Sequence, residues 1–360
     1  MSTTEATDPD LKALHKPDAS QEQSDTIRVS PFDLPTSRFL SVETQEALRC
    51  YAIEADERVK SMAQSGFSLA LEKAPLAELP EIRQRYADIF YTSKTYENLI
   101  KRYPVSMQAD TIAGVYTEVF TPKIGVAKEN HERVLINLHG GAFMHSARTA
   151  SHQESIPIAA LGNIKVISVD YRMAPEHQFP AASDDVVAVY KALLQHYKPE
   201  NIGLYGCSAG GILSSQAIAR FQKEGLPLPS AVGMFCAAAH YWSEGDSGHF
   251  AQALVDFPIP SLQESLYFKG VAKDDPMAFP GNAPEILANF PPSLLIVSTR
   301  DYAMSSVVYT HSQLTRLGID ARLQVWEGLD HAFILNAELP ESREAYKVIV
   351  DFFQQHLGKC

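Results

Sequence analysis

The sequence predicts an α/β protein: a mostly parallel central sheet with helices on both faces. From about residue 105 onward, short apolar runs alternate with helix-length segments. The runs "RVLINLHGG", "IKVISVDYR", "IGLYGCSAG", "AVGMFCAAA", "PSLLIVSTRD" and "ARLQVWEG" are apolar along their length, as strands buried on both faces are. At 360 residues, 45% of them hydrophobic, the chain can bury one large core and carry an accessory subdomain.

Taken in order, residues 1–40 are polar and punctuated by prolines, which reads as a loose arm. Leu48, Tyr51, Ala55, Val59 and Met62 recur at three- and four-residue steps and predict a helix from about Val42 to Gln64. A second helical stretch spans 77–90. "VSMQADTIAG" and "VYTEVFTP" read as an antiparallel pair turning near Gly114. The parallel strands follow, interrupted at 240–292 by aromatics and prolines with no clear strand. That stretch is too long for an ordinary loop and is expected to be an insertion that helps cover a site.

Composition excludes several classes of function. Acidic residues outnumber basic ones 43 to 31, and a net charge of −12 argues against nucleic acid or anionic membrane as the main partner. No apolar run has membrane-spanning length, and "MSTTEATDPD" lacks the basic-then-apolar layout of a signal peptide, so the cytoplasm is the expected compartment. Cys50, Cys207, Cys236 and Cys360 form no C-x-x-C, which argues against a disulfide framework and structural zinc. His139, His145 and His152 have no cysteine or acidic cluster to complete a metal site.

The stretch "IGLYGCSAGG" at 202–211 sets Cys207 beside Ser208. A strand-turn-helix elbow exposes its middle residue and needs small residues two before and two after it. Centred on Ser208 those places hold Gly206 and Gly210; centred on Cys207 they hold Tyr205 and Ala209. Ser208 is therefore the expected nucleophile, and Cys207 a small buried packing residue. A serine needs a base, an orienting acid and donors for an oxyanion. "LHGGAF" (138–143) offers backbone N–H groups over Gly140, Gly141 and Ala142, joined by that of Ala209. It also reads as a tight turn shaped by a structural His139. The elbow resembles that of the α/β-hydrolases, in which the expected chain order is serine, acid, histidine. Asp301 closes a predicted strand and His331, in "WEGLDHAF", follows the next one, so one helix (about 305–317) and one strand separate them. Glu327 and Asp330 lie on the histidine's own loop and rank below Asp301, and His311 falls inside the helix. Glu176 and Asp184 precede Ser208 and are expected to be structural, as is Arg172 through a carboxylate partner.

With "LHGGAF", "VDYRMAPEHQFPAASDD" (169–185), "GCSAGG" and "DHAF" in that order, the chain resembles the hormone-sensitive-lipase-like family of α/β-hydrolases from about residue 74 to the C-terminus. That resemblance implies an α/β-hydrolase core (104–239 and 293–360) under a mainly helical cap built from 41–103 and 240–292. It implies a serine esterase for short- to medium-chain carboxylic esters, needing no metal or organic cofactor, with a small-molecule ester as partner and a homodimer left open. An amidase, lactonase or deacetylase shares the same machinery, and a non-enzymatic binding protein on this scaffold is the remote alternative. By position, Ser208 is the nucleophile, Asp301 the acid and His331 the base, with the oxyanion hole at Gly141, a neighbour (Gly140 or Ala142) and Ala209. Departures from the family pattern are Cys207 for an aspartate, Ala142 for a glycine, "YAMSS" after Asp301 and Ala332 for a glycine. The aromatics Tyr241, Trp242, Phe250, Phe257, Tyr267 and Phe268 either line an acyl pocket or form cap core.

Overall fold

A computed structural model describes residues 33–49, 74–255, 259 and 261–358. The chain divides into two units, residues 1–36 and 37–360, and the fold described is that of the second. Helix α1 (Leu79–Tyr91) and α2 (Lys94–Arg102) precede the hairpin β1 (Val105–Ile112) and β2 (Val115–Pro122), which turns through Gly114 at φ +82°. Then come β3 (Val134–Leu138), α3 (Ala150–Gly162), β4 (Lys165–Val169), α4 (Ala181–Leu193), β5 (Ile202–Cys207), α5 (Ala209–Lys223) and β6 (Ala231–Phe235). After the insertion follow β7 (Ser293–Ser298), α8 (Met304–Arg316), β8 (Ala321–Trp326) and α9 (Pro340–His356).

The strands form one sheet in the order β1-β2-β4-β3-β5-β6-β7-β8. β1–β2 and β2–β4 pair antiparallel, and every other pair is parallel. The apolar runs are explained by two cores, one on each face. Along β3, Val134, Ile136 and Leu138 enter the core shared with α4 and α5, while Leu135 enters the one shared with α3 and α9. Gly203 on β5 leaves space filled by Phe353 of α9, since a Cβ there would lie 2.7 Å from its ring. The sheet's carboxyl ends, where ligands of open α/β sheets bind, carry Leu138, Cys207 and Ser298 into the loops of interest.

Residues 42–49 are helical, and the rest of the expected 42–64 helix lies outside the described residues, as does Phe257. Thr44 and the Ser41 backbone N–H both bond the Glu341 carboxylate at the start of α9. Among its described residues the 240–292 insertion holds only short helices, α6 (Asp246–Phe250) and α7 (Pro284–Leu287) among them, with turns between. Its Tyr241, Trp242, Tyr267 and Phe268 are buried in the same cluster as α4 and α5, so these four rings are packing residues, whereas Phe250 is 46% exposed. Among the described residues, no helix is long and apolar enough to cross a membrane.

Candidate active site

Ser208 stands between β5 and α5 with φ +56° and ψ −121°, a conformation that costs a non-glycine residue on the order of 1–3 kcal/mol. The turn is closed by backbone that leaves no room for side chains. A Cβ on Gly210 would lie 1.8 Å from the Leu138 carbonyl oxygen, and one on Gly206 would lie 2.3 Å from the same atom. The Ser208 N–H donates to Phe235 O (2.7 Å), which ties the strained residue to β6. Only the middle residue of the turn reaches solvent. Ser208 is partly exposed, while Cys207 is fully buried and its thiol is pushed well above the usual range by that burial. A thiol held neutral has little nucleophilicity.

His331 lies between Ser208 and Asp301: its Nε2 is 2.8 Å from Ser208 Oγ and its Nδ1 is 2.7 Å from Asp301 Oδ1. A carboxylate can only accept, so Nδ1 carries the proton and Nε2 is left to receive the serine's. Asp301 is fully buried and its Oδ1 also accepts from the Ala303 N–H (2.8 Å), which fixes the carboxylate from two sides. Of the rival acids, Glu176 pairs with Arg83 (2.6 Å) and Asp184 with Arg220 (2.7 Å), while Asp330 lies on the histidine's own loop; Arg172 finds its carboxylate partner in Asp185 (2.9 Å). His311 sits on α8 with its Nε2 3.3 Å from the Ala321 carbonyl.

The loop after β3 faces Ser208. Gly141, at φ +117°, has no room for a Cβ, which would meet His145 O at 2.1 Å, and Ala142 and Phe143 follow in the left-handed region. His139 shapes this loop and is no base: it is buried, stacked on Tyr171 at 4.2 Å, and burial lowers its pKa to about 4, so its Nδ1–H donates to Gly140 O. Arg83 of α1 grips the loop through Met144 O (2.7 Å), and Tyr267 of the insertion stacks on Phe143 at 4.2 Å.

One sequence-based expectation needs correction here. The Gly140 N–H donates to Glu154 Oε1 (2.8 Å) and is therefore taken from the oxyanion role. The amides of Gly141, Ala142 and Ala209 have no acceptor among the described residues, and that of Ala209 opens α5, where the helix dipole favours negative charge. Glu154 itself was not anticipated. It is fully buried beneath the loop, and its Oε2 accepts from Asn137 Nδ2 (2.8 Å) and the Cys207 N–H (3.3 Å), joining the oxyanion loop to the elbow. Burial outweighs the three donors and pushes its pKa up to about 8. This carboxylate reaches the backbone N–H of Cys207 itself. A lone acid in the helix "ASHQESIPIAALG" was its only signal.

The family model for the alpha/beta hydrolase fold matches residues 135–335, more than half of the chain and all of the loops just described. The chain belongs to the alpha/beta hydrolase family. This hydrolase is also similar to the solved esterase E25, at 28% identity with a TM-score of 0.78 over 92% of this chain and 99% of that one. A solved esterase from the bacterial hormone-sensitive lipase family is 27% identical with a TM-score of 0.68, covering 84% of this hydrolase and 98% of the other. Among curated proteins, an acetyl-hydrolase of Streptomyces hygroscopicus is 28% identical over 63% of this chain and 77% of its own length. The hydrolase is thus of the hormone-sensitive-lipase-like kind.

Proposed function

We propose that this hydrolase is a serine carboxylesterase acting on short- to medium-chain esters through an acyl-serine intermediate. The observation that carries the reading is His331 bridging Ser208 and Asp301 at 2.8 and 2.7 Å. In this mechanism His331 Nε2 takes the serine proton as Oγ attacks the ester carbonyl. Asp301 holds the tautomer and stabilises the imidazolium. The tetrahedral oxyanion is held by the amides of Gly141, Ala142 and Ala209, where each such donor is typically worth about 3 kcal/mol. Protonated His331 then releases the alcohol, and the same nitrogen activates the water that frees the acid. Helices α1 and α2 and the insertion 240–292 act as the cap: Arg83 from the first and Tyr267 from the second both hold the oxyanion loop.

The test is initial rates on p-nitrophenyl esters from acetate to long-chain acyl, for wild type and Ser208→Ala in parallel. Turnover that falls by at least about 10^4-fold in the variant, with an optimum at short acyl chains, is expected. A folded protein inert to every ester, or a variant as active as wild type, would overturn the reading.

A further inference from the structure

We infer that Tyr302 is a further catalytic residue of this hydrolase, its hydroxyl donating a hydrogen bond to Ser208 Oγ while its ring covers one face of His331. The inference rests on the serine-esterase reading above. The phenol ring stacks on the imidazole with centroids 4.1 Å apart and planes 25° from parallel, and its hydroxyl lies alongside the Ser208 side chain. Two side chains therefore converge on the reacting oxygen, His331 Nε2 and Tyr302 Oη.

The direction of each bond follows from proton counting. His331 Nδ1 donates to Asp301, so Nε2 accepts the single proton of Ser208. That leaves only lone pairs on Oγ for Tyr302, which must donate. Burial, helped by the charge on neighbouring Asp301, raises the phenol's pKa and keeps it a donor throughout. During acylation the serine proton passes to Nε2, an Oγ lone pair forms the bond to the carbonyl carbon, and the carbonyl π pair moves onto its oxygen. Negative charge passes through Oγ on the way, and returns there when the acyl-enzyme breaks down and Oγ leaves with the pair. A hydrogen bond to a charged oxygen is about twice as strong as one to a neutral oxygen, so it favours both transition states over the resting enzyme. Tyr302 keeps its own proton, and the balance closes without it. Its π face meets the imidazolium during the same interval, when a cation is best stabilised there.

The tyrosine is held for this position. Its carbonyl accepts from Ser247 Oγ (2.7 Å), and Ser247 and Ser305 exchange backbone-to-hydroxyl bonds of 3.0 and 2.8 Å. Helix α6 of the insertion is in this way fastened to the loop that carries both Asp301 and Tyr302.

The experiment compares wild type, Tyr302→Phe and Ser208→Ala, each checked for folding by thermal melting. It reads kcat and KM on p-nitrophenyl acetate and butyrate, and the rate of covalent labelling by phenylmethylsulfonyl fluoride. The phenylalanine keeps the ring and removes only the oxygen. A kcat about tenfold lower with KM within twofold, and labelling slowed by a similar factor, is expected for one hydrogen bond of ordinary strength. Labelling reports attack by Ser208 without turnover, so a ring that merely packs leaves it unchanged. Wild-type or faster rates in Tyr302→Phe, with Ser208→Ala inert, would overturn the role of Tyr302 alone. Turnover and labelling that persist in Ser208→Ala would instead overturn the serine reading beneath it.

Discussion

On one side of Ser208, the elbow and the loop after β3 are fixed by backbone so close that a Cβ on Gly206, Gly210 or Gly141 would lie within 2.3 Å of a carbonyl oxygen. On the other side, Asp301 and His331, 30 residues apart, are fixed by a hydrogen bond to each other and by the ring of Tyr302, which Ser247 of the insertion holds through its carbonyl. The first half is built by steric exclusion and the second by polar partnership. The two should therefore fail differently: the glycine half by unfolding, the acid–base half by losing rate in a folded protein.

Asp301→Asn is the sharpest way to break the second half. The histidine loses its orienting acceptor, and kcat should fall about 10^4-fold with the protein still folded. Steady-state kinetics beside a melting curve would separate rate from fold; a comparable loss of melting temperature would blur the distinction between the halves. Gly210→Ala attacks the first half. A methyl group 1.8 Å from Leu138 O forces the β3 and β5 ends apart, and destabilisation on the order of 4 kcal/mol or more is expected in denaturant titration.

Glu154 sharpens the comparison, because it is the polar element within the sterically built half. Its folded-state pKa of about 8 lies above the ordinary carboxylate value of 4.5. The folded state therefore holds a proton that the unfolded state has lost, and this group's contribution to stability declines as pH rises from about 4.5 to about 8. Glu154→Gln cannot ionise, so that downward trend should flatten in melting temperature measured from pH 5 to 9. The same variant turns an amide NH2 toward the donors at Gly140, or at Asn137 and Cys207, and should cost about 1–3 kcal/mol at pH 5. The smallest effect is expected at Ala332, next to His331, at φ +57°. Ala332→Gly relieves left-handed strain but frees the unfolded chain, so stability should shift by no more than about 1 kcal/mol, with kcat unchanged. A large rate change there would mean that the loop carrying His331 is also set by its backbone.

Legibility in the sequence followed the same division. The elbow could be read from residues a few places apart, because Gly206, Ser208 and Gly210 must satisfy one local turn. The sheet was legible because strands buried on both faces have to be apolar along their length, and the register of β3 to β8 places those runs side by side. The choice between Gly140 and Ala142 stayed open for a reason outside their own segment: the acceptor that takes the Gly140 N–H lies 14 residues on, in another element. The aromatics of 240–292 had two readings, and only packing against α4, α5 and Phe143 distinguishes core from lining.

By itself, then, the sequence determined what short-range sterics and hydrophobic period dictate: the layered α/β architecture, the turn that exposes a serine rather than the adjacent cysteine, and a chain order that singles out one acid and one histidine. Tertiary structure alone decided which backbone donors remain for an oxyanion, that a buried glutamate reaches the backbone N–H of Cys207, and that Tyr302 lies against both His331 and Ser208. Each of these depends on which hydrogen-bonding group is already engaged by a distant partner, and a buried polar group's partner is set by the packing of whole elements rather than by its neighbours in the chain.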